Sequence, residues 1–316
     1  IALFQQSVDH RTQVHHSRGM PPRVHFGDAW VNDSVIELFR QDIARFRVVL
    51  ASAIDDPPLQ VLARGEVPKL SALCLHNGTV YRWNRPCYGI TNGVPHLRIE
   101  NRVLPAGPTI IDEMANAAFY FGLMSGMLDV EGPIDKVMDF DAAKNNFLAA
   151  ARRGLNAEFE WIKGKAIPAR ELITEHLLPL ARHGLMTSGI NETDINRYLS
   201  VIEERVKRGR TGSTWALQSL AAMAKEGGTK DERLRTVTAA TISRQRRGRA
   251  VHTWKLASLS ESSDWRSSFL NVSQFMDTDL FTVRAQDIVD LAATLMEWEN
   301  VKYIPVEDDE GRLVGL

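Results

Sequence analysis

His96-Leu97-Arg98-Ile99-Glu100-Asn101-Arg102-Val103-Leu104 reads as a β-strand. Side chains alternate across a strand, so Arg98, Glu100 and Arg102 fall on one face. Leu97, Ile99 and Val103 fall on the other and are predicted core. The polar row sets a carboxylate between two guanidiniums, about 7 Å apart for every two residues. Such a row suits a metal-bound polyphosphate, because the carboxylate ligates a hard cation and each guanidinium forks onto phosphate oxygens. It would stabilise the charge that develops in phosphoryl transfer. The same row also reads as a solvated ion-pair ladder on an exposed sheet.

Upstream, Leu73-Cys74-Leu75-His76 and Thr79-Val80-Tyr81-Arg82-Trp83 flank Asn77-Gly78, a dipeptide that predicts a two-residue hairpin turn. Arg82-Trp83-Asn84-Arg85-Pro86 closes the second of these strands, and Pro86 is expected to stop the pairing. If the strands are neighbours, Arg85 joins the polar face as a third cation. Trp83 is expected to pack. Downstream, Thr109 with Asp112 and Glu113 opens a helix running to about Leu128. Met114, Met124 and Met127 on it are expected in the core. Ser34 to Leu50 carries a helical apolar stripe, and Asp55-Asp56-Pro57-Pro58 breaks the chain as a turn.

The remainder divides by composition. Phe140–Ile162, Ala169–His183 and Thr193–Arg208 are amphipathic, with Gly184 and Gly209 placed as helix stops, and a short helix over Thr214–Ala224 lies in a stretch punctuated by Gly212, Gly227 and Gly228, so 136–260 is expected to be all-helical. Residues 205–255 hold 13 Lys/Arg against 3 Asp/Glu, and residues 256–316 hold 4 against 12. Ser258–Asp264 reads as a linker. The expected division is therefore 1–135, 136–260 and 261–316.

The 316 residues are 44% apolar and 24% charged, which excludes disorder and coiled coil and predicts about two domains. A net charge of −1 gives no long-range pull on nucleic acid or anionic lipid. No apolar run reaches 18 residues, so no membrane span is expected. Cys74 and Cys87 lack metal-ligand spacing, which points to a reducing, cytoplasmic setting. The chain opens on Ile1-Ala2-Leu3-Phe4 and closes on Gly315-Leu316, and it reads as an internal piece of a longer protein.

Longer motifs sharpen the functional reading. Leu75-His76-Asn77-Gly78-Thr79-Val80-Tyr81-Arg82-Trp83-Asn84-Arg85-Pro86, then Pro95 to Arg102, then Pro105-Ala106-Gly107-Pro108-Thr109, resemble the second half of the catalytic domain of the glutamate–cysteine ligase-like carboxylate–amine ligases. Leu3 to Asp9 and Arg23-Val24-His25-Phe26-Gly27 also resemble that family, so the likeness spans about residues 1–210. The family is similar to glutamine synthetase in its active-site fold. The resemblance implies an α+β class with an antiparallel sheet, followed by a helical region. It also implies an ATP-dependent reaction in which a glutamate carboxylate is phosphorylated and an amine attacks the acyl phosphate. Carried over by position, Arg98 and Arg102 contact nucleotide phosphates, Glu100 holds magnesium, and Arg85 also approaches phosphate. Glu100 and Arg102 are then the catalytic pair. The partners implied are small molecules: glutamate or a similar carboxylate, and an amine. The half of the family domain that supplies most of the metal-binding glutamates has no counterpart in these residues, so the fragment alone is expected to be inactive.

From Phe275 the chain resembles the opening of a CBS module: Met276-Asp277-Thr278, Phe281-Thr282-Val283, a helix over Asp287–Trp298, and strands Val301–Val306 and Arg312–Leu316 around a turn at Asp308 to Gly311. Such modules pair and often bind adenosine ligands. The alternative function is therefore an inactive, adenine-nucleotide-sensing regulatory protein. A third reading, nucleic-acid binding through Arg244-Gln245-Arg246-Arg247-Gly248-Arg249, ranks last, because few aromatics flank it and acidic residues follow. His10, His15, His16 and His25 read as a solvated loop without a third metal partner. A homo-oligomer is left open.

Overall fold

The computed structural model describes residues 2–9, 19, 22–51, 57–261, 272, 276, 280–299 and 301–316. His10, His15, His16, the Asp55-Asp56 turn, Ser262–Asp264, Phe275 and Asp277-Thr278 lie outside the described residues. The class is mixed α+β with small sheets. The chain forms two compact units, 1–259 and 260–316.

The first unit opens with helix α1 (Ala2–Ser7), strand β1 (Val24–His25), α2 (Ile36–Arg45), α3 (Pro58–Ala63), α4 (Ser71–Gly78) and β2 (Tyr81–Arg82), which pairs in parallel with β1. The hairpin that carries the site is β3 (Asn84–Thr91) with β4 (Val94–Asn101), antiparallel in the register Arg85↔Glu100 and Cys87↔Arg98. Its turn is Asn92-Gly93, both at positive φ (51° and 77°), the backbone that a two-residue hairpin demands.

Several expectations are corrected here. Asn77-Gly78 ends α4 and makes no hairpin. The helix buries His76 and Asn77, whose side chains reach the Phe46 and Pro86 carbonyls at 2.8 Å each, and that packing overrides the turn preference. Pro86 sits inside β3 opposite Ile99 and does not end it, since a strand of a two-stranded sheet has an edge that asks for no N–H. Leu97 and Ile99 are 51% and 55% exposed, not core, because a hairpin with one partner strand leaves their face open.

Thr109 caps α5 (Ile110–Val130), its hydroxyl accepting from the Asp112 amide. Met114 and Met124 on this helix are exposed and Met127 is half-buried, because α5 turns its small residues inward. Gly122 and Gly126 meet Gly184 of a second helix so closely that a Cβ at Gly122 would run into the Ala181 carbonyl, and one at Gly126 into the Leu180 carbonyl. Gly184 is therefore a crossing point inside a helix and no stop.

After α6 (Phe140–Arg153) come two short antiparallel strands, β5 (Glu158–Glu160) and β6 (Ala166–Pro168), which correct the all-helical expectation. The loop between them turns on Lys163 and Gly164, both at positive φ. A helical turn at Ala169–Glu171 and a π-helical segment (Leu172–Leu177) lead into α7 (Leu178–Thr187). There Pro179 has no amide hydrogen for the usual helical bond. Next are α8 (Glu192–Lys207), α9 (Gly212–Lys225) and α10 (Lys230–Arg246). Capping boxes at Thr211 and Thr229 start the last two.

One core joins α5, α7 and α8 through Ala115, Leu185, Ile195, Leu199 and Ile202. A second gathers Trp215, Met223, Ala240, Val251 and Trp254, with the two indoles edge-to-face at 4.9 Å. Asp112, fully buried, holds these parts together: it accepts from Thr109 Oγ1 (2.7 Å), Arg205 Nη2 (2.8 Å) and the Val251 amide (3.0 Å).

The second unit contains β7 (Val283–Arg284), α11 (Val289–Trp298), β8 (Val306–Glu307) and β9 (Leu313–Gly315). β7 and β8 are parallel, and β8 and β9 antiparallel.

Candidate functional site

The register of β3 and β4 decides which side chains meet. Residues directly opposite share a face, so Arg85 and Glu100 stand together, with Cys87 and Arg98 beside them. Arg85 donates to Glu100 Oε2 from Nε (2.9 Å) and lies 2.7 Å from it through Nη2. Its Nη1 donates to the Asn77 carbonyl at 3.0 Å, which ties the cluster to the end of α4. Arg102 donates from Nε to the same Oε2 at 3.0 Å. Just past β4, Arg102 is held by its own amide on the Trp83 carbonyl (2.9 Å), and its guanidinium lies 5.8 Å from the Tyr81 ring centroid. Trp83 is buried against Phe4 and Phe147, at 5.7 and 5.5 Å between rings, and packs as expected.

The structure thus brings together Arg85, Glu100 and Arg102. Arg98 stands apart from Glu100. It lies across Gly89, where an added Cβ would come within 2.7 Å of its Nη1 and 2.8 Å of His96 Cε1. The Arg98 side chain is exposed, and among the described residues it makes no hydrogen bond and no ion pair with another side chain. Burial raises the Glu100 carboxyl's affinity for a proton, but the bonds from Arg85 and Arg102 outweigh it and hold the pKa below the ordinary carboxylate value. Glu100 is therefore an anion at neutral pH, with Oε2 shared by two guanidiniums and Oε1 without a protein donor among the described residues.

Two concavities flank this cluster. One, of about 440 Å³, lies beside Phe4, Trp83, Glu100, Arg102 and Pro105. The other, of about 170 Å³, lies between α4 and the sheet face and is bordered by Arg85 and Arg98. Three guanidiniums against one carboxylate fit a polyphosphate. For magnesium the cluster offers one oxygen, Glu100 Oε1, and among the described residues no group of three or more His, Cys, Asp or Glu is placed to hold a metal. A divalent ion fits here only with further oxygens from phosphate, water or other carboxylates.

Some contributors were missed by sequence reasoning. Asn77 reads as a turn residue, yet it links α4 to Arg85. Cys87 has no motif around it, and only the register places it against Arg98. His25, read as part of a solvated loop, is half-buried against Phe46; neither ring nitrogen has a hydrogen bond, and Nε2 lies 3.8 Å from Asp42 Oδ1. Burial, then the charges of Arg82 and Arg45, push its pKa down to about 4. Arg82 is no site residue: it is buried in an ion pair with Asp42 at 2.8 Å. Among the described residues no helix is long and apolar enough to cross a membrane.

A family model described as glutamate-cysteine ligase family 2 matches residues 30–240, which is 211 of the 316 residues and includes both strands of the hairpin. No curated protein and no solved structure gives a match.

Proposed function

Because the chain belongs to glutamate–cysteine ligase family 2, we propose that it carries part of the active site of an ATP- and magnesium-dependent carboxylate–amine ligase. The carrying observation is the convergence of Arg85 and Arg102 on one oxygen of Glu100, with the uncommitted Arg98 on the same sheet face. In this reading Arg85, Arg98 and Arg102 hold the phosphates and orient them. Charge-assisted, forked bonds from guanidiniums are strong and directional. Glu100 fixes Arg85 and Arg102 through Oε2 and offers Oε1 to the cation. Bound there, magnesium-ATP supplies the phosphoryl group that activates a glutamate-like carboxylate for attack by an amine. The remaining metal oxygens come from phosphate, water or carboxylates beyond this cluster. Trp83, Phe4 and Pro105 give the larger concavity an apolar side next to Glu100 and Arg102.

In the second unit, the parallel pair β7–β8 bridged by α11 supports reading it as part of a CBS regulatory module. The small-molecule partners and a cytoplasmic setting belong to the same proposal. The test is amine-dependent ADP release by the full-length protein. Glu100→Ala and Arg102→Ala should each abolish it while leaving the circular dichroism spectrum unchanged. Undiminished turnover in both variants would refute the assignment.

A further inference from the structure

Helix α5 (Ile110–Val130) is apolar on two opposite faces, and the first unit covers only one of them. Ala115, Gly122 and Gly126 are buried on the side that meets α7 and α8. Two residues further on in each case, about 200° around the helix, come Ala117, Met124 and Leu128. No charged residue stands between Glu113 and Asp129. A helix without a charged face belongs inside a protein. Yet Ile110, Met114, Phe121, Met124 and Leu128 are 78, 46, 64, 62 and 67% exposed. With Ala117 they follow each other at intervals of 4, 3, 4, 3 and 4 residues, which is the seam along which one helix lies on another.

We propose that the outer face of α5 is a dimer interface, packed antiparallel about a two-fold axis against the same face of a second copy of this chain. The proposal goes beyond the ligase reading and asks nothing of it. With the axis midway between Ala117 and Phe121, Phe121 faces Ala117 of the second copy, Met124 faces Met114, and Leu128 faces Ile110. Each layer recurs by symmetry, as a two-fold contact requires. The largest side chain of the seam thus meets the smallest, so the layers fill evenly. A parallel pair in register sets Phe121 on Phe121 and Ala117 on Ala117, a bulge beside a gap. Charge favours the same orientation. Glu131, exposed at the C-terminal cap, comes beside the positive N-terminus of the second copy's α5 when the helices run antiparallel. In a parallel pair Glu113 and Glu131 each face their own copies. The five exposed side chains present on the order of 600 Å² per chain, the upper end for an apolar patch on a monomer and near the roughly 800 Å² each partner gives a stable complex.

The experiment is sedimentation velocity of the full chain from about 100 μM down to about 1 μM, which brackets the dissociation expected of an interface this small. Twice the mass of one chain should give way to the single mass on dilution. Phe121→Glu and Met124→Glu should each weaken association about a hundredfold, because the interface then buries a carboxylate without a partner. Both residues are exposed in the single chain, so the circular dichroism spectrum should not change. Leu97→Lys, at the other exposed apolar surface, should leave the dimer intact. The orientation is read in a Cys74→Ser background with glutathione disulfide as oxidant. Ile110→Cys and Leu128→Cys proteins should link to each other when mixed, and neither to itself, since like positions lie about 27 Å apart across the axis. A monomer at every concentration overturns the proposal, whether the face then binds phosphatidylcholine vesicles or is covered by other residues of the same chain. A dimer that survives both glutamates also overturns it, and so does self-linking of the Ile110→Cys protein.

Discussion

Asp112 shows how much a single carboxylate can carry. It accepts from groups 3, 93 and 139 residues away in sequence, with no exposure to water. Asp112→Ala leaves the Arg205 guanidinium, itself only 13% exposed, without its ion partner. Removing one partner of a buried pair costs about 3–5 kcal/mol, and a loss of that order should appear in the urea unfolding midpoint. His25 gives a pH-dependent counterpart. Its folded pKa, about 4, lies below the ordinary 6.5, so between these values the unfolded chain binds the extra proton. Stability is complete above pH 6.5 and falls as pH drops toward 4, by about 3 kcal/mol in all. His25→Gln should flatten that part of the stability–pH curve, and an unchanged slope would assign the loss to other groups. Part of this was legible beforehand. Thr109 with Asp112 three residues on is a recognisable cap, and Arg98, Glu100 and Arg102 form a recognisable row. The reach of Asp112 to Arg205 and Val251 was not, because nothing local in sequence encodes a contact across such separations.

Among elements, the most demanding contact is the crossing of α5 and α7. Gly122, Gly126 and Gly184 bring two helix backbones together with no side chain between them. Gly126→Ala would gain about 1 kcal/mol in helix propensity, yet it must push the Leu180 carbonyl away. We expect net destabilisation of about 1–3 kcal/mol, the range for overpacking, read from thermal or urea unfolding. A stabilised variant would mean that the helices part without cost. The two Asn-Gly pairs show where local reading fails. Asn92-Gly93 turns a hairpin because alternating strands flank it and both residues adopt positive φ. Asn77-Gly78 closes a helix because His76 and Asn77 itself are buried, bonded to the Phe46 and Pro86 carbonyls. The dipeptide is the same, and tertiary packing selects between the two outcomes. Helices α8 and α9 fall within a few residues of where the sequence places them, since each buries one face against a core.

At the scale of the molecule, the exposed face of the hairpin governs behaviour in solution. Leu97 and Ile99 lie more than half exposed on β4, which has a strand on one side only among the described residues. An uncovered apolar strand with free backbone groups is a template for further strands. In concentrated samples the molecules should therefore stick edge to edge, giving light scattering that grows with time and concentration. Leu97→Lys, on the face opposite Arg98, should suppress the scattering without altering the circular dichroism spectrum, because charge on an edge strand opposes such stacking. A handling problem for whoever purifies this chain is thus written into the same two strands that hold its arginines.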